Sequence, residues 1–225
     1  MLAKKGVNMS WANLGITSNS SLDKFTGLAI LIPHKDEQDY RQWKNWWDKT
    51  LVKPPNTTYL ETRGVSLTTN RTYLVLEALK TPASHFLFLD DDVIGPDNLI
   101  ESLIAMKAPI ACGVYMAKKS KKERTLAAWM KAPGGYSGIS NVQPGRYVQV
   151  DVTGLGCVLI HRSVFERVSQ PWFVWEPNSI SEDFYFFEKA AAEINVKPLI
   201  DMNMKCLHIG LFTVNNEGEF DTLDA

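Results

Sequence analysis

The sequence predicts an α/β domain with a mostly parallel central sheet flanked by helices. The chain has 225 residues, of which 45% are hydrophobic, and this is enough to bury one substantial core. Short apolar runs alternate with segments of helical periodicity over the first half, which is the order expected of parallel strands covered by helices. We therefore expect one domain over residues 28–210, with a polar segment before it (1–27) and a tail after it (211–225).

Apolar runs and amphipathic segments alternate from the first predicted strand onward. The run Leu28–Pro33 is continuous and ends in proline, which is typical of a strand that is buried on both faces. A tryptophan-rich segment follows it, with apolar residues at helical spacing. The predicted strands of this half are 28–33, 57–61, 85–89 and 109–115, and the predicted helices are 36–49, 69–79 and 98–106.

The second half of the chain predicts a less regular arrangement. Residues 117–143 combine a basic run with small residues and turn residues, so we expect a mobile loop with a strand near 126–130. The later elements are predicted as strands over 147–152, 157–161, 197–202 and 205–209, a helix from about residue 163, and a helix over 181–194.

Gly154 and Gly156 lie between two of these predicted strands, 147–152 and 157–161, which we expect to be joined through them. Glycine at such a place permits either a bend or a close approach of the backbone to a ligand. The pair is not a dinucleotide-binding fingerprint, because no helix follows it directly.

Composition excludes some classes of function and location. The formal net charge of −1 gives the molecule no overall attraction for nucleic acid or anionic membranes. The three cysteines are far apart and form no CxxC pair, which predicts buried free thiols rather than a zinc site. The polar start lacks the apolar core of a signal peptide, and no apolar stretch is long enough to span a bilayer. We therefore expect a cytoplasmic protein.

Asp90, Asp91 and Asp92 directly follow the predicted strand 85–89 and are the strongest indication of chemistry in the sequence. Alternate side chains of an extended chain point the same way, so Asp90 and Asp92 are expected to converge on one cation while Asp91 turns elsewhere. Ligands of open α/β sheets collect where the strands end, and carboxylates suit Mg²⁺ or Mn²⁺. The alternative is that Asp92, or Asp97 beyond it, simply caps the next helix.

Two later motifs each have a functional and a structural interpretation. His208, near the end of a late strand, is either a packed histidine or a third metal ligand. Glu182 and Asp183 open an apolar helix. One of them is expected to complement the helix dipole or to form a capping box with Ser179, and the other to stay ionised, as a general base must.

These motifs occur in the order found in the glycosyltransferase-A superfamily, and the chain resembles its family 2-like enzymes over residues 28–210. The matching segments are Asp-Asp-Asp-Val-Ile-Gly-Pro from Asp90, Val-Asp-Val-Thr-Gly-Leu-Gly-Cys from Val150, Ser-Glu-Asp-Phe-Tyr-Phe from Ser181, and His-Ile-Gly from His208. The resemblance implies a single Rossmann-like domain of the GT-A fold. It also implies metal-dependent transfer of one sugar from a nucleoside-diphosphate sugar to an acceptor hydroxyl.

The resemblance further implies roles for individual residues. Asp90 and Asp92 match the motif that holds the donor diphosphate through Mn²⁺ or Mg²⁺, and His208 matches a histidine that completes this metal site. Asp183 matches the base that activates the acceptor in inverting members, with Glu182 beside it in the catalytic pair. The residues expected to contact the UDP- or GDP-linked sugar are Pro33, Glu61, Arg63, Arg71, Asp90, Asp91, Gly154 and Gly156.

Two departures from the family pattern leave alternatives open. Glu61-Thr62-Arg63 replaces the usual aspartate after the second strand, so the nucleobase is open. No Gln-x-x-Arg-Trp motif of processive synthases follows Asp183, which favours transfer of a single sugar. A retaining glycosyltransferase with the same metal site, a nucleotidyltransferase and a non-enzymatic nucleotide- or carbohydrate-binding module are the alternatives. The acceptor is open among glycans, lipids, proteins, small molecules and modified nucleic acid.

Overall fold

The computed structural model describes residues 24–34, 41–64, 66–117, 125–140, 145, 147–175, 181–209, 212–214 and 220–222. In chain order, the first half consists of β1 (Leu28–Pro33), α1 (Arg41–Lys49), β2 (Thr58–Thr62), α2 (Leu67–Ala78), β3 (His85–Leu89), β4 (Val93–Ile94), α3 (Leu99–Ala105) and β5 (Ile110–Val114). The second half consists of β6 (Ala128–Ala132), β7 (Gly135–Gly138), β8 (Tyr147–Gln149), β9 (Val152–Thr153), β10 (Cys157–His161), α4 (Arg162–Arg167), α5 (Glu182–Ile194), β11 (Leu199–Lys205), β12 (Leu207–His208), β13 (Phe212–Val214) and β14 (Phe220–Thr222).

Seven strands form the central sheet, in the order β2-β1-β3-β10-β5-β11-β8. β1 is parallel to β2 and β3, and β11 is parallel to β5. β10 runs antiparallel to both of its neighbours, β3 and β5, and β8 runs antiparallel to β11 at the edge. Five of the seven strands therefore share one direction, and the prediction of a mostly parallel sheet flanked by helices is confirmed.

Side chains that alternate along the strands build two hydrophobic clusters on the two faces of this sheet. Ala29 and Leu31 of β1 belong to the cluster that contains α2, α4 and α5 residues. Ile30 and Ile32 belong to the other, which contains α1 and α3 residues. Because both faces are covered, the central strands are apolar throughout, as the run Leu28–Pro33 predicts.

The second half differs from its predicted arrangement in two respects. The strands predicted over 147–152 and 157–161 do not pair with each other: β8 pairs with β11, whereas β10 is inserted between β3 and β5. The loop predicted over 117–143 contains a regular hairpin, because β6 pairs with β7 and with β9. This hairpin is held by a tertiary contact, since the rings of Trp129 and Tyr136 each lie 4.9 Å from the ring of Phe184.

A small second sheet, in the order β14-β13-β12-β4, brings two distant parts of the chain together. In it, His208 pairs with Val93, and the amide of Ile209 donates to the carbonyl of Asp92 over 2.7 Å. The late histidine is thereby placed beside the aspartate triplet. None of the helices in the described ranges is long and apolar enough to cross a membrane.

Candidate active site

The carboxyl ends of the parallel strands meet at one edge of the central sheet, and polar side chains collect there. In an open α/β sheet, this edge is where ligands bind. The antiparallel strand β10 begins at the same edge, because its first residue, Cys157, pairs with Leu89 at the end of β3. The side chains at this edge include His34, Glu61, Asp90, Asp91, Asp92, Tyr115 and His208, and the start of α5 adds Glu182 and Asp183.

A buried guanidinium lies at the centre of this group. Arg71 of α2 is only 3% exposed; its Nη1 donates to Oε1 of Glu182, and its Nη2 lies 3.2 Å from Oδ1 of Asp90. Burial lowers the pKa of Arg71, but the charges of Asp90 and Glu182 outweigh it and the net shift is upward. A buried charge is tolerated only when it is paired. These ion pairs therefore tie α2 to the end of β3 and to the start of α5.

The carboxylates of this cluster carry more negative charge than the guanidinium neutralises. Burial raises the pKa of Asp90, and the charge of Asp92 raises it further, against the lowering effect of Arg71. Burial also raises the pKa of Glu182, again against Arg71. Carboxyl groups with raised pKa values lie in a negative, poorly hydrated environment. A cation brought into this environment is stabilised electrostatically.

Asp92 and His208 form a second arrangement at the same edge. Nδ1 of His208 lies 2.8 Å from the backbone carbonyl of Met116, which can only accept, so Nδ1 carries a proton and donates it. In the neutral ring, Nε2 is then an acceptor, and it lies 3.5 Å from Oδ1 of Asp92. A cation that contacts both Nε2 of His208 and Oδ1 of Asp92 would stabilise these two acceptors at this distance. Such a tautomer, fixed by a backbone carbonyl, is the usual state of a metal-binding histidine.

Only part of the predicted metal site is assembled. Asp90 faces Arg71 instead of sharing a point with Asp92, so the expected convergence of these two carboxylates does not occur in this arrangement. Within the described residues, no three His, Cys, Asp or Glu side chains are grouped closely enough to hold a metal ion. The pair Asp92 and His208 fits a divalent cation by donor type and by tautomer. Asp90 does not form part of this pair, because its carboxylate accepts from Arg71.

Glu182 and Asp183 are turned to different partners, although they are neighbours at the start of α5. Glu182 is buried and accepts from Arg71, and it also makes a hydrogen bond to its own backbone. Asp183 accepts from the backbone amide of Phe184 over 2.8 Å and from the hydroxyl of Ser181. Ser179, the other half of the predicted capping box, lies outside the described residues. Of the two acids, Glu182 is therefore the one tied to α2, whereas the bonds of Asp183 to Phe184 and Ser181 are local to the helix start.

The two glycines make room for a tyrosine. A Cβ at Gly154 would lie 2.4 Å from the hydroxyl oxygen of Tyr115, and one at Gly156 would lie 2.9 Å from that oxygen and 3.0 Å from Oδ2 of Asp90. The amide of Gly156 donates to the same hydroxyl over 2.9 Å. Burial, followed by the charge of Asp90, raises the pKa of Tyr115 well above its ordinary value. The close approach at these glycines is therefore to the protein's own tyrosine.

A separate cavity of about 100 Å³ lies beside the triplet, at the ends of β1 and β2. Asp91 turns away from its two neighbours, as predicted, and Oδ2 of Asp91 accepts from Nδ1 of His34 over 2.6 Å. Pro33 is buried at the end of β1, one residue before the cavity. The cavity is lined by His34, Trp43, Lys44, Trp47, Glu61, Arg63 and Asp91.

The structure thus brings the predicted site residues into two neighbouring groups. Arg71, Asp90, Asp92, Glu182, Asp183 and His208 surround the end of β3, with Gly156 against Asp90, and Glu61, Arg63 and Asp91 share the cavity. Sequence reasoning did not single out Tyr115 or His34. Both directly follow a buried strand at its carboxyl end, and that position is the one indication that could have found them.

No protein-family model matches the chain, and no curated protein matches it. The chain is similar in structure to A197 from STIV, with a TM-score of 0.61 and 18% sequence identity over 88% of this chain and 94% of that chain. It is also similar to GalNAc-T7, solved with UDP, GalNAc and Mn²⁺, with a TM-score of 0.52 and 11% identity over 83% of this chain and 44% of that chain. The chain thus spans less than half the length of GalNAc-T7. At these identities the likeness concerns the fold, and the chain has a glycosyltransferase-like α/β fold.

Proposed function

We propose that the chain is a metal-dependent glycosyltransferase that moves one sugar from a UDP- or GDP-linked donor to an acceptor hydroxyl with inversion. The observation that carries this proposal is the meeting of the Asp92 carboxylate and the Nε2 lone pair of His208, 3.5 Å apart, beside an excess of carboxylates. This arrangement lies at the ligand-binding edge of a glycosyltransferase-like fold.

Asp92 and His208 would hold Mn²⁺ or Mg²⁺. When bound, this ion supplies the positive charge that stabilises the leaving nucleoside diphosphate. Asp90 lies within the electrostatic range of both residues, since Asp92 raises its pKa and His208 lowers it. Arg71 holds the Asp90 carboxylate at the rim of the site, and its positive charge faces the same diphosphate.

Asp183 acts as the general base in this proposal. Its Oδ1 accepts two bonds from its own helix start, so the orientation of the carboxylate is fixed. Its Oδ2 takes the proton of the acceptor hydroxyl as that oxygen attacks the anomeric carbon. Glu182 does not touch the substrate, because its carboxylate is buried against Arg71, and we assign it a positioning role.

The proposal is tested by incubating the protein with UDP- and GDP-linked sugars and measuring the release of nucleoside diphosphate. Release is expected with Mn²⁺ or Mg²⁺ and is expected to stop when EDTA is added. Release that is insensitive to EDTA would contradict metal dependence. The anomeric configuration of the glycoside, read by NMR, separates inversion from retention.

The metal assignment is tested by calorimetric titration of nucleoside diphosphate in the presence of Mn²⁺. Asp92→Ala is expected to abolish the metal-dependent part of the affinity. His208→Ala is expected to reduce it by at least about 10-fold, because changes around a metal ligand commonly cost that much. Glu101→Ala is the matched control, because it removes a carboxylate at an exposed position of α3. Unchanged affinity in Asp92→Ala would remove the metal site from the proposal.

A further inference from the structure

The cavity at the ends of β1 and β2 contains a histidine whose hydrogen bonding is half complete. Nδ1 of His34 lies 2.6 Å from Oδ2 of Asp91, which as a carboxylate accepts, so Nδ1 carries the proton. Nε2 of the neutral ring is then an acceptor. The side chain of His34 is 4% exposed, and within the described part of the chain its Nε2 makes no hydrogen bond.

A second acceptor faces this nitrogen. Oε2 of Glu61 lies 3.5 Å from Nε2 of His34, and the Glu61 side chain is 53% exposed at the cavity mouth. A buried acceptor without a donor is unfavourable, and a carboxylate beside it adds repulsion. Two adjacent acceptors of this kind are satisfied by a ligand that presents two adjacent N–H donors.

The cavity is large enough to hold more than a single water. At about 100 Å³, it exceeds several-fold the roughly 10–15 Å³ that one water requires. Two of its walls are the indole rings of Trp43 and Trp47, which are stacked with their centroids 5.2 Å apart. The other lining residues are polar or charged, so the cavity combines an aromatic wall with polar groups that can fix the orientation of a small planar ligand.

We infer that this cavity selects guanine, so that the donor of the proposed reaction is linked to GDP. Guanine carries a ring N–H and an amino group side by side on one edge, and these two donors match Nε2 of His34 and the carboxylate of Glu61. Uracil offers a single N–H between two carbonyls, which would face these acceptors. The amino groups of adenine and cytosine each stand beside a ring nitrogen that is itself an acceptor.

In this arrangement, Asp91 is a positioning residue. It fixes the tautomer of His34 and leaves its Nε2 as the acceptor, in the way that a carboxylate fixes the tautomer of other functional histidines. The inference rests on the proposed function, because it names the nucleobase of that donor. A doubly protonated His34, shared between Asp91 and Glu61, is the competing state. It would donate to Glu61 and leave no paired acceptors for guanine.

The experiment is calorimetric titration of the whole chain with GDP, IDP, UDP and ADP, each in the presence of Mn²⁺. IDP keeps the ring N–H of guanine and lacks only the amino group, so it isolates the second donor. A correct pair of base contacts gives about 1–3 kcal/mol of discrimination, roughly 5- to 150-fold. GDP is therefore expected to bind about 10- to 100-fold more tightly than UDP or ADP, with IDP between them.

Glu61→Gln replaces one carboxylate oxygen by an NH₂ donor and removes the negative charge at an exposed side chain, so it is expected to fold normally. It should weaken GDP binding by about 10-fold and reduce the difference in affinity between GDP and UDP. Glu101→Gln, at an exposed position of α3, should change neither the GDP affinity nor this difference. Tighter binding of UDP than of GDP, or equal binding of GDP and IDP, would overturn the guanine assignment and leave the nucleotide site intact. Binding of none of the four nucleotides would overturn this assignment together with the proposed function.

Discussion

The two ends of strand β3 are built from opposite chemistry. At its amino end, His85 is buried against His161, with the two rings 4.9 Å apart, and its Nδ1 lies 2.9 Å from the hydroxyl of Ser84. At its carboxyl end, Asp90 faces a buried guanidinium and lies beside further carboxylates. Burial, followed by the charge of His161, lowers the pKa of His85 to about 4, so His85 is neutral at pH 7. The other end holds buried charges.

The comparison favours the distribution of charge over cavity size as the guide to the proposed site. The amino end of β3 borders a cavity of about 560 Å³, whereas the cavity beside the aspartates measures about 100 Å³. In the larger cavity, Arg162 is already engaged, because it donates to the carbonyls of Leu79 and Thr81 and to Glu166. Its hydrogen bonds are made within the protein. At the carboxyl ends of β1 and β2, by contrast, Nε2 of His34 and Oε2 of Glu61 lie 3.5 Å apart. Within the described residues, this Nε2 makes no hydrogen bond.

The largest effect is expected for Asp183→Asn, which tests whether the charged end performs chemistry. Loss of a general base typically lowers the rate by about 10² to 10⁴. The amide keeps the size of the side chain and still accepts from the amide of Phe184, so the helix start should survive. We therefore expect transfer activity to fall by that factor while nucleotide affinity stays near that of the parent, measured by product formation and calorimetry.

Glu182→Gln is the comparison for this variant, because it changes the adjacent acid. Its carboxylate is buried on Arg71, so its loss should reduce stability and lower activity by less than Asp183→Asn does. If Asp183→Asn transfers sugar at close to the parent rate, then the inverting mechanism with this base is wrong.

The second prediction compares two arginines, one at each end of β3. Arg71→Met leaves Glu182 buried and Asp90 partly buried without their cation, and breaking a buried ion pair such as Arg71–Glu182 costs about 3–5 kcal/mol of unfolding free energy. Arg162→Met removes hydrogen bonds to two backbone carbonyls and one surface ion pair, which we expect to cost about 1–2 kcal/mol. Urea unfolding of the two variants measures both values.

Arg71→Met and Arg162→Met would lose similar amounts of unfolding free energy if the surroundings of Arg71 were hydrated in solution. In that case, water or ions would replace the guanidinium beside the carboxylates in Arg71→Met. A double variant, Arg71→Met with Glu182→Leu, provides a further check. It removes both charges of the closest pair and should recover part of the loss, whereas independent contributions would simply add.

The sequence predicts the charged end of β3 well because its indications are local. A buried strand that runs into Asp90, Asp91 and Asp92 is visible within a short stretch, and so is the acidic start of α5. The contact between Arg71 and Glu182 joins residues 111 positions apart. No local pattern specifies such a distance, and only the resemblance to a family placed Arg71 near the nucleotide at all.

The insertion of β10 was not predictable for a related reason. A continuous apolar run such as Cys157–His161 identifies a strand that is buried on both faces, but it carries no information about direction or neighbours. The sequence predicts a strand near 126–130 that overlaps β6, but it does not predict the partner strand β7, because the composition of this segment is that of a loop. The β6–β7 hairpin is held by Trp129 and Tyr136 against Phe184 on α5, a tertiary contact that overrides local preference.

The smallest expected effect concerns His85, at the amino end of β3, and the dependence of unfolding free energy on pH. His85 has a pKa of about 4 in the folded protein, against 6.5 for an ordinary histidine. Between these two values the unfolded chain binds a proton that the folded chain does not, so stability falls as the pH falls from about 6.5 to 4. At pH 5 the loss is about 2 kcal/mol relative to pH 7, since each pKa unit corresponds to about 1.4 kcal/mol.

The carboxylates at the other end of β3 change stability with pH in the opposite direction. His85→Gln is therefore informative, because it removes the histidine contribution and leaves that of the carboxylates. Burial raises the pKa values of Asp90, Asp91 and Glu182 in the folded protein, so their protonation favours the folded state as the pH falls. The parent should therefore lose stability between pH 7 and pH 5 by about 2 kcal/mol more than His85→Gln, which lacks this histidine and retains the other titratable groups, including the carboxylates. Urea unfolding at the two pH values measures this difference. Parallel changes in the two proteins would mean that His85 protonates as readily in the folded state as in the unfolded chain, and the amino end of β3 would then carry a buried positive charge at acidic pH.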